Sequence, residues 1–354
     1  MQLRDPDFAR LAELVAAHTG RREPLQLHAM PGGASTRRYY RVDLGDGHTA
    51  VAMFVPEGGK PEEIQKGSHA ARWPFLEVRE LLAERGVDVP ALYGEDTDAG
   101  WLLLEDLSDD TLANFLLRAP EKKTALYQRA VAELAEAQRR LADLPAGSVV
   151  RTRAFDEDLL LWEIDHFREW GLEARGVQLA DEDRTHFDAI ARRLAKRIAA
   201  WPRGFVHRDY QSRNLMVRTN RAGEPTSLCW LDFQDALLGP RIYDLVALLN
   251  DSYQEFDRPF VEARLDEFAR GLGLDRGERE RLSVEFDLMT VQRKLKDAGR
   301  FVFIDKVKHN PGFLRFVAPT VRKVALSLER LAPVDEDMRA LLGVLRRALP
   351  DEVR

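Results

Sequence analysis

The chain has 354 residues, of which 45% are hydrophobic and 32% charged, and its net charge is −6. That length can bury the cores of two modest domains, and the negative balance argues against binding of nucleic acid through bulk positive charge. The single cysteine, Cys229, excludes an internal disulfide and a metal site built from cysteines. The sequence has no apolar core of a signal peptide near Met1 and no run close to the roughly 18 apolar residues of a membrane helix. We therefore expect a cytoplasmic protein without nucleic-acid or membrane partners.

The first hundred residues alternate between helical and strand-like patterns. Helical spacing of apolar residues predicts helices over 5–19 and 75–85. Short β-rich runs bounded by turn residues predict antiparallel strands over 25–27, 39–44, 49–54, 91–93 and 101–104. This part of the chain is therefore predicted to be mixed α/β.

After Leu107 the pattern is mainly helical. Predicted helices cover 121–143, 156–171, 181–200, 257–271, 277–299, 313–331 and 335–348. One interruption, 204–235, has short β-like runs beside polar clusters. The sequence thus predicts an α+β protein with an N-terminal part over about 1–106 and a helical part over about 107–354.

The polar clusters of this interruption suggest chemistry. One is the loop His207-Arg-Asp-Tyr-Gln-Ser-Arg-Asn214, and the other is Asp232, which follows an apolar run. Transfer of a phosphoryl group from ATP needs a carboxylate that orients the attacking hydroxyl and oxygen ligands that hold Mg²⁺ on the phosphates. We therefore predict that Asp209 is the catalytic base and that Asn214 and Asp232 bind the metal. A turn residue, a helix cap and a surface carboxylate would explain these three residues one by one, but not their order and spacing together.

A phosphate-covering loop is predicted between the first strands, in Pro31-Gly-Gly-Ala-Ser-Thr-Arg-Arg38. Small residues let backbone N–H groups approach phosphate oxygens, Ser35 can donate a hydrogen bond, and Arg37 or Arg38 can pair with the charge. We name Gly33, Ser35 and Arg38 as candidate nucleotide contacts. Without the catalytic loop, the same Gly-Gly pair would indicate only a hairpin turn.

The catalytic-loop spacing and Asp232 resemble the corresponding elements of the protein-kinase-like fold. Asp232 is followed by Phe233 and Gln234, as is usual in the aminoglycoside-phosphotransferase branch. The resemblance implies a two-lobed fold with an antiparallel-sheet N-lobe and a helical C-lobe, with ATP and Mg²⁺ as cofactors. It also implies a hinge over 102–107, where Glu105 and Leu107 would contact the nucleotide.

One expected residue is missing, because the strand 49–54 has Met53 where a typical kinase has a lysine that reaches the phosphates. This departure resembles the bacterial N-acetylmuramate/N-acetylglucosamine kinases, which phosphorylate the anomeric hydroxyl and also carry methionine in this strand. The resemblance is carried by the segments 33–41, 102–107, 163–170, 207–210, 231–236, 239–240, 243–244 and 291–296 and by Asp251. An arginine of the first loop is the candidate to replace the lysine charge.

Acceptor contacts are predicted partly from a helix and partly from the resemblance. Glu163, Phe167 and Trp170 have the spacing of one helix face, which is usually core, but Glu163 gives that face a charge; we name Glu163 and Trp170. The resemblance adds Asp251, Gln292 and Arg293, and Arg293 could meet the lactyl carboxylate of N-acetylmuramate.

Two other interpretations stay open. The first is another small-molecule kinase of the same superfamily, acting on choline, homoserine or an aminoglycoside. The second is a nucleotide-binding pseudokinase, suggested by the missing lysine and opposed by the intact Asp209, Asn214 and Asp232. Asp244, which opens an apolar helix, is interpreted as a structural residue that caps the helix or supports the catalytic loop.

Overall fold

The computed structural model describes residues 5–22, 24–31, 36–56, 72–252 and 254–353. The candidate nucleotide contacts Gly33 and Ser35 lie outside the described residues. Within these ranges, none of the helices has the length and apolar character needed to span a membrane.

The chain divides into two compact units, each assembled from separate stretches. The described residues within 1–69, 88–110 and 216–231 form the sheet unit, and those within 70–87, 111–215 and 232–354 form the helical unit. The predicted division into 1–106 and 107–354 remains a prediction.

The sheet unit is built on a five-stranded antiparallel sheet with the order β1-β2-β3-β5-β4. Its elements are α1 (Phe8–Thr19), β1 (Leu27–Ala29), β2 (Arg38–Gly45), β3 (His48–Phe54), β4 (Leu92–Asp96), β5 (Trp101–Glu105), β7 (Leu215–Thr219) and β8 (Pro225–Trp230). Strands β7 and β8 pair with each other in a separate two-stranded sheet. All five predicted strands of the N-terminal region are present, within two or three residues of the predicted bounds.

Helix α1 covers one face of this sheet. Leu11 and Val15 of α1 pack with Ala52, Phe54 and Trp101 of the strands in one buried cluster. Side chains of a strand alternate between the two faces of a sheet. Met53 therefore points to the opposite face, where it is buried and lies beside Tyr39 in register.

The helical unit contains most of the helices and a short two-stranded ladder, β6–β9. Its elements are α2 (Pro74–Glu84), α3 (Leu112–Arg118), α4 (Lys123–Arg140), α5 (Val149–Thr152), α6 (Glu157–His166), α7 (Asp181–Ala199), β6 (Arg203–Val206), β9 (Leu237–Pro240), α8 (Tyr243–Leu249), α9 (Arg258–Leu272), α10 (Arg276–Lys308), α11 (Val317–Leu331) and α12 (Glu336–Ala348).

The helix starts follow from their capping residues. Asp156, Asp257 and Asp335 each accept a hydrogen bond from a backbone N–H in the first turn of the helix that they precede. Asp275 does the same for α10 and forms a reciprocal capping box with Glu278. The predicted helices are confirmed, but α10 continues nine residues beyond its predicted end at Gly299 and reaches Lys308.

Gly299 does not end α10 because it serves close packing there. A Cβ atom at Gly299 would lie 2.7 Å from the backbone oxygen of His166 and 2.9 Å from Cα of Phe167. The glycine thus lets α10 approach the end of α6 at backbone distance. This approach fixes the relative position of two helices that carry predicted acceptor contacts.

Candidate active site

Two loops of the helical unit leave the same end of the β6–β9 ladder. Val206 at the end of β6 pairs with Leu237 at the start of β9. The catalytic loop 207–214 follows β6 and the loop 232–236 precedes β9, so antiparallel pairing brings both to one end. The topology thus places Asp209 and Asp232, the predicted base and metal ligand, on neighbouring loops.

Both loops contain a residue in the left-handed region of backbone conformation. Arg208 has φ 77° and Asp232 has φ 62°. This region favours glycine, and an ordinary side chain there costs on the order of 1–3 kcal/mol that the surroundings must offset. Strain at the residue before the predicted base and at the predicted metal ligand is typical of residues held for function.

Asp244, in the first turn of α8, holds the strained part of the catalytic loop. Its Oδ2 accepts a hydrogen bond from the backbone N–H of His207 at 2.6 Å, and its Oδ1 accepts one from the N–H of Arg208 at 3.0 Å. Burial raises the pKa of Asp244 to about 7, although the two N–H donors oppose that shift. The prediction that Asp244 supports the catalytic loop agrees with these bonds.

Asp251 holds the other end of the same loop. Its Oδ2 accepts hydrogen bonds from the backbone N–H of Ser212 at 2.9 Å and from Ser212 Oγ at 2.5 Å. Between the two positions bound by Asp244 and Asp251, the hydroxyl of Tyr210 donates a hydrogen bond to the carbonyl of Ala130 in α4 at 2.9 Å. The structure therefore gives Asp251, predicted as an acceptor contact, a direct part in positioning the loop.

The carboxylate of Asp209 projects from this fixed loop and is partly exposed, at 37% of its side chain. Its Oδ1 lies 3.4 Å from Nε2 of Gln211 and 3.7 Å from Nη2 of Arg293. A carboxylate on a rigid loop with one accessible side can accept a proton from a bound hydroxyl. This geometry fits the predicted role of Asp209.

Asn214 and Asp232 offer oxygen atoms to a cation. Nδ2 of Asn214 donates to the backbone carbonyl of Asp209 at 2.8 Å, which leaves its side-chain oxygen as the atom able to bind a metal. Oδ1 of Asp232 accepts from Nε2 of Gln234 at 2.9 Å. Across the described ranges there is no group of three or more His, Cys, Asp or Glu side chains placed to hold a metal. One carboxylate and one amide oxygen suit Mg²⁺, which in such sites takes its other ligands from phosphates and water.

Glu163 lies at the centre of a buried polar network. Its Oε2 accepts from Nε2 of Gln292 at 2.8 Å, and its Oε1 lies 3.4 Å from Nη2 of Arg208. Glu163 and Gln292 are fully buried. The network ties α6 and α10 to the catalytic loop, so Glu163 and Gln292, both predicted acceptor contacts, are brought together.

Trp170 is separated from Glu163 in the chain by a change of helix type. After α6 the helix widens into a π-helical turn over Phe167–Leu172, which changes the direction of the side chains that follow. Phe167 is buried against Phe187, whereas Trp170 packs edge-on against Phe303 with ring centroids 5.0 Å apart. The single helix face predicted for Glu163, Phe167 and Trp170 is wrong, because the prediction assumed a regular 3.6-residue turn.

Arg293 lies beside the catalytic loop and is fully buried. Its guanidinium is stacked on the ring of Tyr243, with 4.6 Å between the guanidinium carbon and the ring centroid. Its Nε is 4.0 Å from Oδ2 of Asp297. The structure thus joins the predicted residues Arg293 and Asp209, which the sequence places 84 positions apart.

The predicted nucleotide contacts of the sheet unit have different environments. Arg38 is exposed at the start of β2, with Nη1 3.7 Å from Asp5. The carboxylate of Glu105 binds Arg218 through two contacts of 2.5 and 2.8 Å, so a nucleotide contact there would use its main chain. Leu107 is half-buried after β5.

Arg41, a cation near Met53 in the sheet, is bound to two carboxylates. Arg41 lies on the same sheet face as Met53, two residues along β2 from its register partner. Its guanidinium binds both oxygens of Asp106, at 2.6 and 3.2 Å, and also contacts Asp109 at 3.0 Å. Arg41 therefore stabilises the end of β5 instead of presenting a free charge.

Several residues that shape the site were not among the predicted contacts. Arg208 pairs with Glu163, Tyr243 lies under Arg293, and Asp297 lies among the cations of α10. The spacing of Arg293 and Asp297, one helical turn apart, was the available signal for an ion pair. For Arg208 and Tyr243, the partners are distant in the sequence and only the fold reveals them.

A loop held by two carboxylates, with a second acidic loop beside it, fits the requirements of phosphoryl transfer. The chain belongs to the phosphotransferase enzyme family, which it matches over residues 26–282. It has the protein-kinase-like fold of that family, with an antiparallel sheet in its N-terminal region and a helical C-terminal region. The protein is therefore a phosphotransferase enzyme.

Comparison with known proteins identifies similar members of this family. The chain is 33% identical over 323 residues to the N-acetylmuramate/N-acetylglucosamine kinase of Neisseria meningitidis serogroup B, covering 88% of this chain and 89% of that protein. It is also 33% identical to the enzyme of the same name from Pseudomonas aeruginosa, covering 95% and 92% of the two chains.

Solved structures share the fold at much lower identity. Choline kinase from Cryptosporidium parvum Iowa II superposes with a TM-score of 0.61 at 10% identity, covering 95% of this chain and 99% of that one. The GDP complex of wild-type aminoglycoside 2'-phosphotransferase-IIIa gives 0.56 at 13% identity, covering 90% and 97%. The predicted fold class and family resemblance are confirmed.

Proposed function

We propose that this enzyme transfers the γ-phosphoryl group of ATP to the anomeric 1-hydroxyl of N-acetylmuramate and N-acetylglucosamine, in the recycling of cell-wall sugars. The proposal is carried by the hydrogen bonds that hold the catalytic loop to Asp244 and Asp251 and so fix the position of Asp209. The names of relatives that are 33% identical over most of the chain support the choice of acceptors.

Asp209 acts on the acceptor hydroxyl. It accepts a hydrogen bond from the 1-hydroxyl, orients that oxygen toward the γ-phosphorus, and takes the proton as the new P–O bond forms. The bond from the γ-phosphorus to the β,γ-bridging oxygen breaks, and ADP leaves. Because the transition state of such transfers is loose, positioning and charge neutralisation supply most of the acceleration.

The metal ligands are proposed to be Asn214 and Asp232. Their oxygen atoms would hold Mg²⁺, which when bound neutralises charge on the phosphates of ATP. The strained backbone at Asp232 and the hydrogen bond from Gln234 fix the direction of this carboxylate before nucleotide arrives. Gly33, Ser35, Arg38, Glu105 and Leu107 remain the proposed nucleotide contacts.

The acceptor contacts are proposed to be Gln292 and Arg293 of α10, supported by Glu163, Asp251 and Trp170. Glu163 fixes the amide of Gln292, with Nε2 donating to it, so Oε1 of Gln292 is the atom able to accept from an acceptor N–H. The guanidinium of Arg293 is close to Asp209 and can pair with a carboxylate on the same sugar that presents its hydroxyl to Asp209.

Consumption of ATP by the purified enzyme, with Mg²⁺ and a panel of acceptors, tests the proposal. N-acetylmuramate, N-acetylglucosamine, choline, homoserine and kanamycin cover the related activities. We expect turnover with the two amino sugars and an acid-labile phosphate on the product, as an anomeric phosphate requires. Turnover with another acceptor alone would contradict the sugar assignment. ATP binding without turnover on any acceptor would favour a pseudokinase.

A further inference from the structure

Several buried polar atoms of Arg293, which is 3.7 Å from Asp209, and of two residues beside Arg293 have no protein hydrogen-bond partner. They are the hydroxyl of Tyr243, Oε1 of Gln292, and Nε, Nη1 and Nη2 of Arg293, when partners are sought among the described residues. All three side chains are fully buried. Buried polar groups are nearly always paired, because an unpaired one loses the hydrogen bonds that water would supply. Such a concentration on neighbouring residues indicates a site for a polar ligand group.

A fourth residue, Lys296, borders this group. It lies one turn after Gln292 on α10, and 12% of its side chain is exposed. Its ammonium is 3.5 Å from Oδ1 of Asp297, a long contact, whereas Lys294 approaches the same carboxylate at 2.9 Å. Burial alone would raise the pKa of Asp297, but Lys294, Arg293 and Lys296 outweigh burial and hold it well below its ordinary value. Asp297 is thus shared among three cations, and Lys296 retains donor capacity.

Most of the unpaired atoms are hydrogen-bond donors. Arg293, Tyr243 and Lys296 present donors, and the charge of two of them favours an anionic oxygen group. Gln292 alone presents an acceptor. Asp209 and Lys296 are partly exposed, at 37% and 12% of their side chains, so a ligand can reach the group from their side. A carboxylate next to an amide N–H would satisfy this set.

We propose that Tyr243 and Lys296 are specificity-determining residues that, together with Arg293, bind the carboxylate of an acidic N-acyl amino sugar. This inference rests on the proposed function and deepens it. The guanidinium of Arg293 forms an ion pair with the ligand carboxylate, and the hydroxyl of Tyr243 donates a hydrogen bond to it. The ammonium of Lys296 contacts the same carboxylate from the partly exposed side of the site. A neutral amino sugar lacks the anionic group that makes such hydrogen bonds strong, so the site favours N-acetylmuramate over N-acetylglucosamine.

The test compares kcat/KM for N-acetylmuramate with kcat/KM for N-acetylglucosamine in Lys296→Met and Tyr243→Phe. Charged hydrogen bonds of this kind contribute about 1.5–3 kcal/mol, so we expect the ratio of the two values to fall about 10- to 100-fold in Lys296→Met. A smaller fall, roughly 3- to 10-fold, is expected for Tyr243→Phe, which removes one neutral donor. Lys306→Met removes an exposed cation from the same helix and serves as the matched control, with an unchanged ratio.

The outcomes separate this inference from the proposed function. Equal losses on both sugars in both variants, or an unchanged ratio, would overturn the assignment of Tyr243 and Lys296 while leaving the sugar kinase intact. A wild-type enzyme that phosphorylates only N-acetylglucosamine would also overturn it. Failure of the wild type on both sugars would contradict the proposed function itself, and the inference with it. Thermal unfolding of Tyr243→Phe provides a folding control, because removal of an unpaired buried hydroxyl should not lower the melting temperature.

Discussion

At the scale of single residues, the site depends on how Asp244 binds two successive backbone N–H groups. The bonds to His207 and Arg208 stabilise a left-handed conformation that Arg208 would otherwise avoid. Asp209 follows directly, so the direction of the base is set by a residue 35 positions further along the chain. A change at Asp244 should therefore act on turnover through Asp209.

The pKa of Asp244 predicts a pH dependence for turnover. Burial raises that pKa to about 7, so Asp244 becomes protonated as the pH falls below neutral. The protonated carboxyl is a weaker hydrogen-bond acceptor for the two N–H groups of the loop. We expect kcat to fall below about pH 7, and Asp244→Asn to lower kcat by roughly 10- to 100-fold, the scale of about 1.4–3 kcal/mol in positioning. A kcat profile over pH 5.5–8.5 measures this. An Asn variant with wild-type kcat would contradict the positioning role.

The same group predicts a pH dependence of stability. Its pKa is about 7 in the folded chain and 3.8 for the ordinary group, so folding favours the protonated form. The stability that this provides is present below about pH 4 and is lost as the pH rises to about 7, by at most roughly 4 kcal/mol. We therefore expect the free energy of unfolding of the wild type to fall relative to Asp244→Asn between pH 4.5 and 7.5. Parallel curves from chemical denaturation would contradict this sign.

Arg293 should affect both sugars and one of them more. Its guanidinium is 3.7 Å from the base, so Arg293→Ala is expected to lower kcat on both acceptors through the position of Asp209. Loss of a charged contact to the lactyl carboxylate should in addition raise KM for N-acetylmuramate by about 10-fold or more over the effect on N-acetylglucosamine. Steady-state kinetics on both sugars checks this, and equal changes in KM would remove the carboxylate assignment.

Met53 shows why a lysine cannot simply be restored. Its side chain is only 1% exposed and lies between Tyr39 and Leu102 in register. Met53→Lys would place an ammonium in an apolar position, so we expect a loss of about 1–3 kcal/mol in stability and no gain in turnover. Met53→Leu keeps the volume and should cost less than about 1.5 kcal/mol. A more active lysine variant would show that this position lacks only its charge.

At the scale of elements, the close approach of α10 to the end of α6 is the feature that assembles the acceptor side. Gly299→Ala would force a Cβ atom against the backbone of His166 and Phe167. We expect this to destabilise the fold by about 2–4 kcal/mol and to weaken the contact between Gln292 and Glu163. In Gly343→Ala, within α12, the nearest atom is the flexible end of Arg347 at 3.4 Å, so a gain of up to about 1 kcal/mol is expected. Melting temperatures compare the two, and equal tolerance would contradict the packing role.

Periodicity predicted most of these elements because each helix buries one stripe and each strand one face. It did not predict the π-helical turn after His166, since no local pattern marks a single wider turn. The length of α10 was also underestimated at Gly299, where the reason for the glycine is a neighbour distant in sequence. Both departures lie where α10 approaches the end of α6, at His166 and Phe167.

At the scale of the whole molecule, the order of the parts along the chain identified the fold before any contact was known. Asp209, Asn214 and Asp232 could be predicted because their chemistry requires fixed spacing along one loop and the strand that follows. Roles that depend on pairing across the fold could not be predicted in this way. Arg208 of the catalytic loop pairs with Glu163 of α6, and Tyr243 of α8 lies against Arg293 of α10. These pairs become visible only when the helical unit is assembled.

Turnover of Asp209→Asn with Mg·ATP and N-acetylmuramate, alongside nucleotide binding by the same protein, is the decisive test of Asp209 as the catalytic base. The substitution keeps the shape of the side chain and removes the base, so we expect kcat to fall about 10²- to 10⁴-fold while ATP binding is largely retained. Asp232→Ala serves as the comparison, because it should weaken Mg·ATP binding as well as turnover. Turnover of Asp209→Asn at the wild-type rate would show that Asp209 is not the base for phosphoryl transfer.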